Sequence, residues 1–235
     1  MELKVEKEND IQSWEEVVLI YNSALKEVGT KLEILNDEFQ HVHQYNPIEH
    51  IKSRIKTPQS IVKKLKKNHY ESTIANMVEH VNDIAGIRVI CSFISDIYRI
   101  AEMLIKQNDI RVISVKDYIQ NPKPSGYKSY HLLITIPIFL SDRIVDTKVE
   151  IQIRTVAMDF WASLEHKIHY KFEGNVPEHI KKELIECANM VSNLDSKMLS
   201  LNKEVQKLAD QAAEEKEKAA ENGQTSLPGT RSAVV

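Results

Sequence analysis

One strictly alternating segment constrains the fold of this chain more than any other. In residues 149–155, apolar and polar side chains alternate, which is the periodicity of a β-strand with two unlike faces. The polar face carries a carboxylate, an amide and a guanidinium in one row: Glu150, Gln152 and Arg154. Apolar runs at residues 132–138 and 168–172 predict that the strand lies inside a sheet. A solvated edge strand would explain the pattern equally simply, but in an interior the row must be paired or face a cleft.

Composition limits the class of protein. With 235 residues and 42% hydrophobic content, the chain can bury a full core, and one domain with extensions is expected. A formal charge of −3 argues against a general polyanion binder. We find no apolar run of membrane-spanning length and no signal-peptide pattern, and Cys91 and Cys187 lack metal-ligand spacing. We therefore expect a cytoplasmic protein with no membrane partner.

Two long segments carry apolar residues at alternating steps of three and four, the pattern of heptad helices. Alone, the first segment fits a helix packed on its own domain or an oligomer contact equally well; together, the two favour self-association. We expect an N-terminal helix within residues 1–46 and a C-terminal helix over residues 177–214, both as oligomer contacts around a domain at 47–176. Residues 215–235 turn polar and then become rich in Gly, Ser and Thr, which predicts a disordered tail.

A basic block follows the first heptad segment. Residues 51–70 contain seven lysines and arginines and no acid, although the whole chain is acidic. Asn46-Pro47-Ile48-Glu49 and Thr57-Pro58 each predict the start of a helix, and a helix N-terminus can hold a phosphate. A charge run is more often a solvated helix face. The residues that could converge on an anion near the second start are Arg54, Lys56, Ser60 and Lys64.

Two further segments carry polar residues that could serve chemistry. Asp83 lies just before a predicted apolar strand and Arg88 lies within it, although a structural salt bridge would explain this pair too. The Pro/Gly-rich loop at residues 121–129 places Lys123, Tyr127 and Lys128 near its tip. An aromatic residue between lysines is suited to stacking a base and holding its phosphates.

The order of predicted elements indicates an α/β (α+β) domain around a mixed sheet. The flanking elements we expect are a helix at 72–80, a helix from Ser95 to about 107, a strand at 110–116, a strand at 132–138 and a helix at 155–172. Two acids, Asp83 and Glu150, beside basic and aromatic residues suit Mg²⁺ and phosphoryl or pyrophosphoryl transfer on nucleotides. The absence of Gly-x-x-x-x-Gly-Lys excludes a P-loop enzyme.

Two other functions remain open at this level. A non-catalytic oligomer that binds nucleotides or single-stranded RNA could use the same basic and aromatic residues, but it would gain nothing from two acids in its cleft. A nucleotidyltransferase that transfers a nucleotidyl group would release pyrophosphate rather than AMP.

Four motifs, in order along the chain, resemble the synthetase motifs of the RelA/SpoT family. They are Arg54-x-Lys56-x-x-x-Ser60, His80-x-x-Asp83-Ile-Ala-Gly-Ile-Arg88, Gly126-Tyr127-Lys128-Ser129-Tyr130-His131 and Val149-Glu150-Ile151-Gln152-Ile153-Arg154-Thr155. The resemblance covers residues 47–177. The short length and the terminal heptad helices are similar to those of the small alarmone synthetases, and among them to the RelQ type of Gram-positive bacteria.

This resemblance implies a nucleotidyltransferase-like fold and GTP pyrophosphokinase activity in the stringent response. The β,γ-diphosphate of ATP would be transferred to the 3′-hydroxyl of GTP or GDP, giving pppGpp or ppGpp and AMP. The chain would synthesise only, without a hydrolase. A homo-oligomer, most simply a tetramer, is implied as well, with single-stranded RNA and the alarmone itself as candidate regulators.

The resemblance also implies roles for individual residues. Asp83 and Glu150 would hold Mg²⁺, and Glu150 would take the proton of the 3′-hydroxyl, with Arg88 as a third catalytic residue. Tyr127 would stack on guanine, whereas no role is implied for Asp159. The residues implied for ATP are Arg54, Lys56, Ser60, Lys64 and Arg88. The residues implied for the acceptor nucleotide are Lys116, Lys123, Tyr127, Lys128, His131 and Gln152.

Overall fold

The structure, a computed structural model, describes residues 13–43, 45–172 and 176–224. These residues form six helices and five strands, which confirms the expected mixed α+β class. In chain order they are α1 (Trp14–His43), β1 (Ile48–Ile55), α2 (Pro58–Lys67), α3 (Ile74–His80), β2 (Ala85–Cys91), α4 (Ile94–Ile105), β3 (Arg111–Asp117), β4 (Tyr130–Phe139), β5 (Ile144–Thr155), α5 (Val156–Lys171) and α6 (Glu178–Gln224). One compact unit extends to Asp195, and a second begins at Ser196 within α6.

The alternating segment is the central strand of the sheet. The strands are ordered β1-β2-β5-β4-β3, and β5 pairs with β2 in parallel and with β4 in antiparallel orientation. The solvated-edge alternative is therefore excluded. In the register, Glu150 lies opposite Gly86, and Gln152 lies between Arg88 and His131. Because residues paired in register point to the same side of a sheet, the polar row of β5 continues onto its neighbours.

The opposite face of the sheet forms the hydrophobic core. Residues from α1, α4 and the strands are almost fully buried in one cluster, including Val28, Leu32, Ile100 and Ile151. The heptad face of α1 thus packs on its own domain, which was one of the two alternatives. An oligomer contact of α1 stays a prediction, and it would have to use another face of the helix, where Leu19 and Ile34 are exposed.

The first strand corrects one prediction. Residues 48–55 form β1, an edge strand antiparallel to β2, and not the helix predicted from Asn46-Pro47-Ile48-Glu49. The isoleucines of β1 recur at steps of three and four, which resembles helical spacing. A register irregularity between Ile48 and His50 interrupts the alternation that would have indicated a strand. The prediction was wrong because Asn46-Pro47 imitates a helix start, and the bulge near the start of this edge strand left no clear alternation to oppose it.

Three helix boundaries differ in how well they match the sequence. The start of α2 is confirmed, since the Thr57 hydroxyl accepts a hydrogen bond from the Ser60 N–H. The N-cap of α4 is Phe93, whose N–H donates to the Asp96 carboxylate at 3.1 Å, so Ser95 is not the cap. Helix α6 continues to Gln224. Residues 215–224 are therefore helical rather than disordered, and 225–235 lie outside the described residues.

In the part of the chain that the structure describes, no helix has the length and apolar content of a membrane span.

Candidate active site

A cavity of about 270 Å³ lies along the polar row of the sheet. Its walls come from β1, β2, β5 and the segment just before β2. They are Lys52, Ser53, Arg54, Asp83, Gly86, Ile87, Arg88, Glu150 and Gln152. Five of these were predicted as site residues. Lys52 and Ser53 were missed, and their signal was the strand β1 that the sequence analysis took for a helix.

One side of this cavity is a network of ion pairs around Asp83. The Nζ atoms of Lys56 and Lys64 each lie 2.7 Å from a different carboxylate oxygen of Asp83. Burial raises the pKa of Asp83, but the hydrogen bonds from the two ammonium groups outweigh it, and the net pKa is lowered. Asp83 is therefore ionised at neutral pH. We call Arg54, Lys56, Lys64 and Asp83 the donor side.

Glu150 lies at the centre of the row and is held from the other side. Gln152 Nε2 donates to Glu150 Oε2 at 2.8 Å, and His131 Nδ1 lies 3.7 Å from Glu150 Oε1. Burial raises the pKa of Glu150, but the contacts with His131 and Gln152 outweigh it, so the pKa is lowered; the negative charge of Asp83 raises it slightly. Glu150 is thus an ionised carboxylate, close enough to Asp83 for their charges to interact.

The two carboxylates fit the requirements of a magnesium site completed by substrate. Mg²⁺ prefers hard oxygen ligands and is usually held by one or two carboxylates together with phosphates and water. Asp83 and Glu150 supply such oxygens to one cavity. Among the described residues there is no group of three or more His, Cys, Asp or Glu that could hold a metal. The donor set therefore suits an ion that arrives with a nucleotide rather than a permanently chelated one.

Arg154 is the centre of a buried network beyond Glu150. Its side chain is 4% exposed, and Nη2 donates to Tyr127 Oη at 2.6 Å and to Gln152 Oε1 at 2.9 Å. Nη1 donates to Asp159 Oδ1 at 3.1 Å, and Nε donates to Ser129 Oγ at 3.3 Å. In the sequence this guanidinium belongs to the polar row of residues 149–155, without a predicted role of its own. Its position at the end of a central strand was the available signal.

Tyr127 is enclosed by the residues predicted to bind the acceptor. Lys123 Nζ lies 4.6 Å from the Tyr127 ring centroid, and Tyr127 Oη lies 2.8 Å from His131 Nε2. Tyr118, which the sequence analysis missed, packs edge-on against both Tyr127 and His131. We call Lys123, Tyr127, His131, Arg154 and Asp159 the acceptor side. His131 touches Tyr127 with one ring nitrogen and approaches Glu150 with the other.

Asp159 joins the acceptor side to Arg88, which lines the cavity. Its Oδ1 accepts from Arg154 and also lies 3.2 Å from Arg88 Nη1. Burial and the neighbouring Arg154 lower the pKa of Arg88, and its Nε is buried without a hydrogen-bond partner among the described residues. A buried, unpaired donor is unfavourable, so this atom favours an anionic ligand at the site.

The two remaining predicted acceptor residues differ in their position. Lys116 is exposed on the edge strand β3, opposite His131 in the register. Lys128 lines a separate, smaller cavity between the loop, α5 and α6, and its charge acts on Asp195. Lys116 therefore continues the row of Gln152 and His131 onto β3, whereas Lys128 lies on the side of the loop that faces α6.

The first part of α6 fixes the loop and the end of β5. Gly126 has a φ of +87°, and a Cβ at this position would lie 2.6 Å from Ala188 Cβ, so only glycine fits here. The Thr155 hydroxyl donates to the buried Asp195 carboxylate at 2.7 Å. The loop that carries Tyr127 and the strand that carries Glu150 are thus held by one helix.

Ionised carboxylates between a basic wall and an aromatic pocket define a nucleotide site equipped for phosphoryl-transfer chemistry. The comparisons with known proteins agree with this class. The family model described as "Region found in RelA / SpoT proteins" matches residues 53–175. This chain belongs to that family.

Curated relatives and solved structures resemble almost the whole chain. GTP pyrophosphokinase YwaC of Bacillus subtilis (strain 168) is 49% identical over 209 residues, which are 87% of this chain and 100% of the relative. GTP pyrophosphokinase YjbM of the same strain is 37% identical, over 90% of this chain and 99% of the relative. The crystal structure of small alarmone synthetase 2 from Bacillus subtilis has a TM-score of 0.74 at 49% identity, covering 81% of this chain and 98% of that one.

A second structure adds a ligand to this comparison. Small alarmone synthetase 1 from Bacillus subtilis, bound to its product pppGpp, has a TM-score of 0.76 at 36% identity and covers 82% of this chain and 97% of that one. The expected fold is confirmed by both structures. The finer RelQ-type subdivision stays a prediction, because the names of these relatives and structures do not give that type.

Proposed function

We propose that this chain is a GTP pyrophosphokinase that makes pppGpp or ppGpp from ATP and GTP or GDP. One observation carries the proposal: the ionised carboxylates of Asp83 and Glu150 line one cavity between a basic donor side and an aromatic acceptor side. Relatives at 49% and 37% identity carry this activity in their names, and one structural neighbour is bound to pppGpp.

On the donor side, the basic residues bind the phosphates of ATP. Arg54, Lys56 and Lys64 supply positive charge, and the two lysines exchange the Asp83 carboxylate for phosphate oxygens when ATP binds. Asp83 and Glu150 would then hold Mg²⁺, which neutralises charge on the transferred diphosphate. The unpaired Arg88 Nε supports a phosphate contact at the boundary of the two sides.

On the acceptor side, Glu150 is the proton acceptor. The 3′-oxygen of GTP or GDP attacks the β-phosphorus of ATP, and its proton moves to the Glu150 carboxylate. The bond between the β-phosphorus and the bridging oxygen of the α-phosphate breaks, and that oxygen leaves with AMP. Gln152 and His131 hold the carboxylate in its ionised form. Tyr127 stacks on the guanine base, and Lys123 binds acceptor phosphate.

The test is incubation with ATP, GTP and Mg²⁺, followed by separation of the nucleotides on an anion-exchange column. We expect AMP and pppGpp in equal amounts. Release of pyrophosphate would instead identify a nucleotidyltransferase. Binding of single-stranded RNA without any turnover would favour the non-catalytic alternative.

We also propose that the protein is a homotetramer that assembles through α6. The heptad positions of this helix remain exposed, unlike those of α1, and include Leu194, Met198, Leu201, Val205 and Leu208. A row of this kind is typical of a helix that packs on a partner helix. The cytoplasmic location, and regulation by single-stranded RNA or by the alarmone, remain parts of the proposal that follow from the resemblance alone.

Light scattering at micromolar concentration tests the assembly. Leu194→Asp with Leu201→Asp places two charges on the exposed row and should give smaller species. Ser200→Asp, on the same helix but outside the row, is the matched control and should leave the mass unchanged. A monomeric parent, or a double variant with the parent's mass, would contradict the proposal.

A further inference from the structure

The polar face of β5 also includes Lys148, two residues before Glu150. Its ammonium group is partly buried and lies against the end of α3. Lys148 Nζ donates to Glu79 O at 2.7 Å and to Val78 O and Asn82 Oδ1 at 3.2 Å each. These three bonds use all the donors that an ammonium group has. Lys148 is therefore fully committed to this contact and is not free to bind a substrate phosphate.

The contact stabilises the segment that carries Asp83. The last carbonyls of a helix lack partners within the helix, and a positive charge there also complements the helix dipole. Lys148 supplies hydrogen bonds and a positive charge to the last carbonyls of α3. Its third hydrogen bond holds Asn82, the neighbour of Asp83 in the chain. Just beyond Asp83, the Lys56 N–H donates to Ile84 O at 2.8 Å. The segment is thus held by β5 before Asp83 and by β1 after it.

We propose that Lys148 is a positioning residue that sets the placement of Asp83 relative to Glu150, and with it the geometry of the metal-binding carboxylate pair. Glu150 is two residues away on the same face of the same strand, so one rigid element carries one carboxylate and fixes the other. The side-chain partners of Asp83, Lys56 and Lys64, cannot do this during the reaction, since they are proposed to move to ATP. This inference rests on the proposed function.

The test replaces Lys148 by methionine, which keeps most of the apolar stem and removes the three hydrogen bonds. Residues that orient metal ligands typically change metal affinity by about 10- to 100-fold when they are removed. We expect the Mg²⁺ concentration for half-maximal activity to rise by about 10-fold or more. The KM for GTP should stay within about twofold, because Lys148 does not touch the acceptor side. Lys148→Arg should restore most of the Mg²⁺ response.

A readout that does not depend on turnover is hydrogen exchange. Amides of residues 79–84 should exchange faster in Lys148→Met, while those of β4 should keep the parent's protection. Asn82→Ala removes one of the three partners, so combining it with Lys148→Met should cost less than the two separate effects together. Lys106→Met, an exposed lysine that pairs with Glu102 at the end of α4, is the matched control and should change neither property.

Two results would overturn the inference. One is an unchanged Mg²⁺ response in an active Lys148→Met variant, and the other is unchanged exchange in residues 79–84. A fall in activity that follows only the folded fraction, with the parent's Mg²⁺ response, would make Lys148 merely structural. If the parent itself forms no AMP from ATP and GTP, the proposed function fails instead, which distinguishes the two failures.

Discussion

The donor and acceptor sides of the cavity are built in different ways. On the donor side, Asp83 is held by two lysines of unequal burial: the Lys64 side chain is 37% exposed and the Lys56 side chain 18%. On the acceptor side, the Arg154 side chain is 4% exposed, and its three guanidinium nitrogens donate four hydrogen bonds. Exposed ion pairs are weak and exchange partners easily, whereas buried charged networks have a fixed geometry.

This difference indicates a division of labour. Lys64 can leave Asp83 for a phosphate at low cost, because solvent already screens it, whereas the more buried Lys56 needs the phosphate to replace its partner directly. The acceptor side instead arranges Tyr127, His131 and Gln152 before a nucleotide arrives, which lowers the entropy cost of binding it. We expect donor-side variants to change binding locally and acceptor-side variants to change stability as well.

The largest effect should come from Glu150, which lies between the two sides. Glu150→Gln keeps the size of the side chain but removes its charge and basicity. Loss of a general base alone typically costs about 10²- to 10⁴-fold in rate, so initial rates at saturating Mg²⁺ should fall by at least that factor. The exposed Glu183→Gln on α6 is the control. Turnover within a few-fold of the parent would remove Glu150 from the reaction, and failure to fold would make it structural.

The second prediction breaks the acceptor network at its centre. Arg154→Met should lower the free energy of unfolding by about 3 kcal/mol, because it leaves buried polar groups without their shared partner. It should also raise the KM for GTP more than the KM for ATP. Lys64→Met on the donor side should change stability by about 1 kcal/mol or less. Urea unfolding of both variants measures the loss of unfolding free energy on each side. Equal losses in the two variants would refute the difference between the two sides.

The third prediction separates the two substrates. Tyr127→Ala should raise the acceptor KM by about 5- to 150-fold, since stacking contributes about 1–3 kcal/mol per base, with little change in the KM for ATP. Tyr127→Phe keeps the ring and loses the hydroxyl that contacts Arg154 and His131, so its effect should be smaller. Steady-state kinetics with each nucleotide varied in turn decides the point. An unchanged acceptor KM in Tyr127→Ala would give the ring a structural role only.

The smallest expected effects are two opposite contributions to the pH dependence of the stability of the fold. Asp83 has a lowered pKa, so its charge stabilises the fold above the ordinary aspartate range, and this contribution is lost as pH falls through the folded-state pKa. Burial raises the pKa of Asp195, more than its hydrogen bond from Thr155 and the charge of Lys128 lower it. The ionised Asp195 therefore destabilises the fold at neutral pH, and this penalty disappears in acid.

Thermal unfolding of two asparagine variants tests these signs. At neutral pH, Asp83→Asn should lower the free energy of unfolding and Asp195→Asn should raise it slightly, each by about 1 kcal/mol or less, and Tm should move in the same direction. Both differences from the parent should shrink towards pH 3. Asparagine at position 195 can still accept the Thr155 hydrogen bond, so the comparison isolates the charge. The same sign for both variants at neutral pH would contradict the cited pKa directions.

Sequence was sufficient where local pattern decides structure. The strict alternation of residues 149–155 predicted β5, and Thr57-Pro58 predicted the start of α2. The pairing of Asp83 with Glu150 followed from placing both beside strands and from the family resemblance, whereas the parallel pairing of β2 with β5 came from the structure. In contrast, β1 was missed because its bulge disturbs the period, and an irregular edge strand leaves little local signal.

The acceptor network could not be predicted because it depends on tertiary contacts. Arg154 and Asp159 acquire their roles only when α5 and the loop at 121–129 close over the end of β5. Lys128 faces the first part of α6 for the same reason, since Gly126 allows the loop to approach Ala188. Nothing in the local sequence of these residues indicates which distant element will cover them.

The place of β5 in the sheet has a consequence for the order of events during synthesis. This strand is the last of the five along the chain, yet it occupies the centre and joins β2 to β4. Until it emerges from the ribosome, the two strands on one side of it and the two on the other have no common partner. Such long-range pairing is slow because loop closure must come before the contacts that stabilise it. Glu150 arrives with the strand that completes the sheet, so a nascent chain that lacks β5 has neither the full sheet nor its central carboxylate.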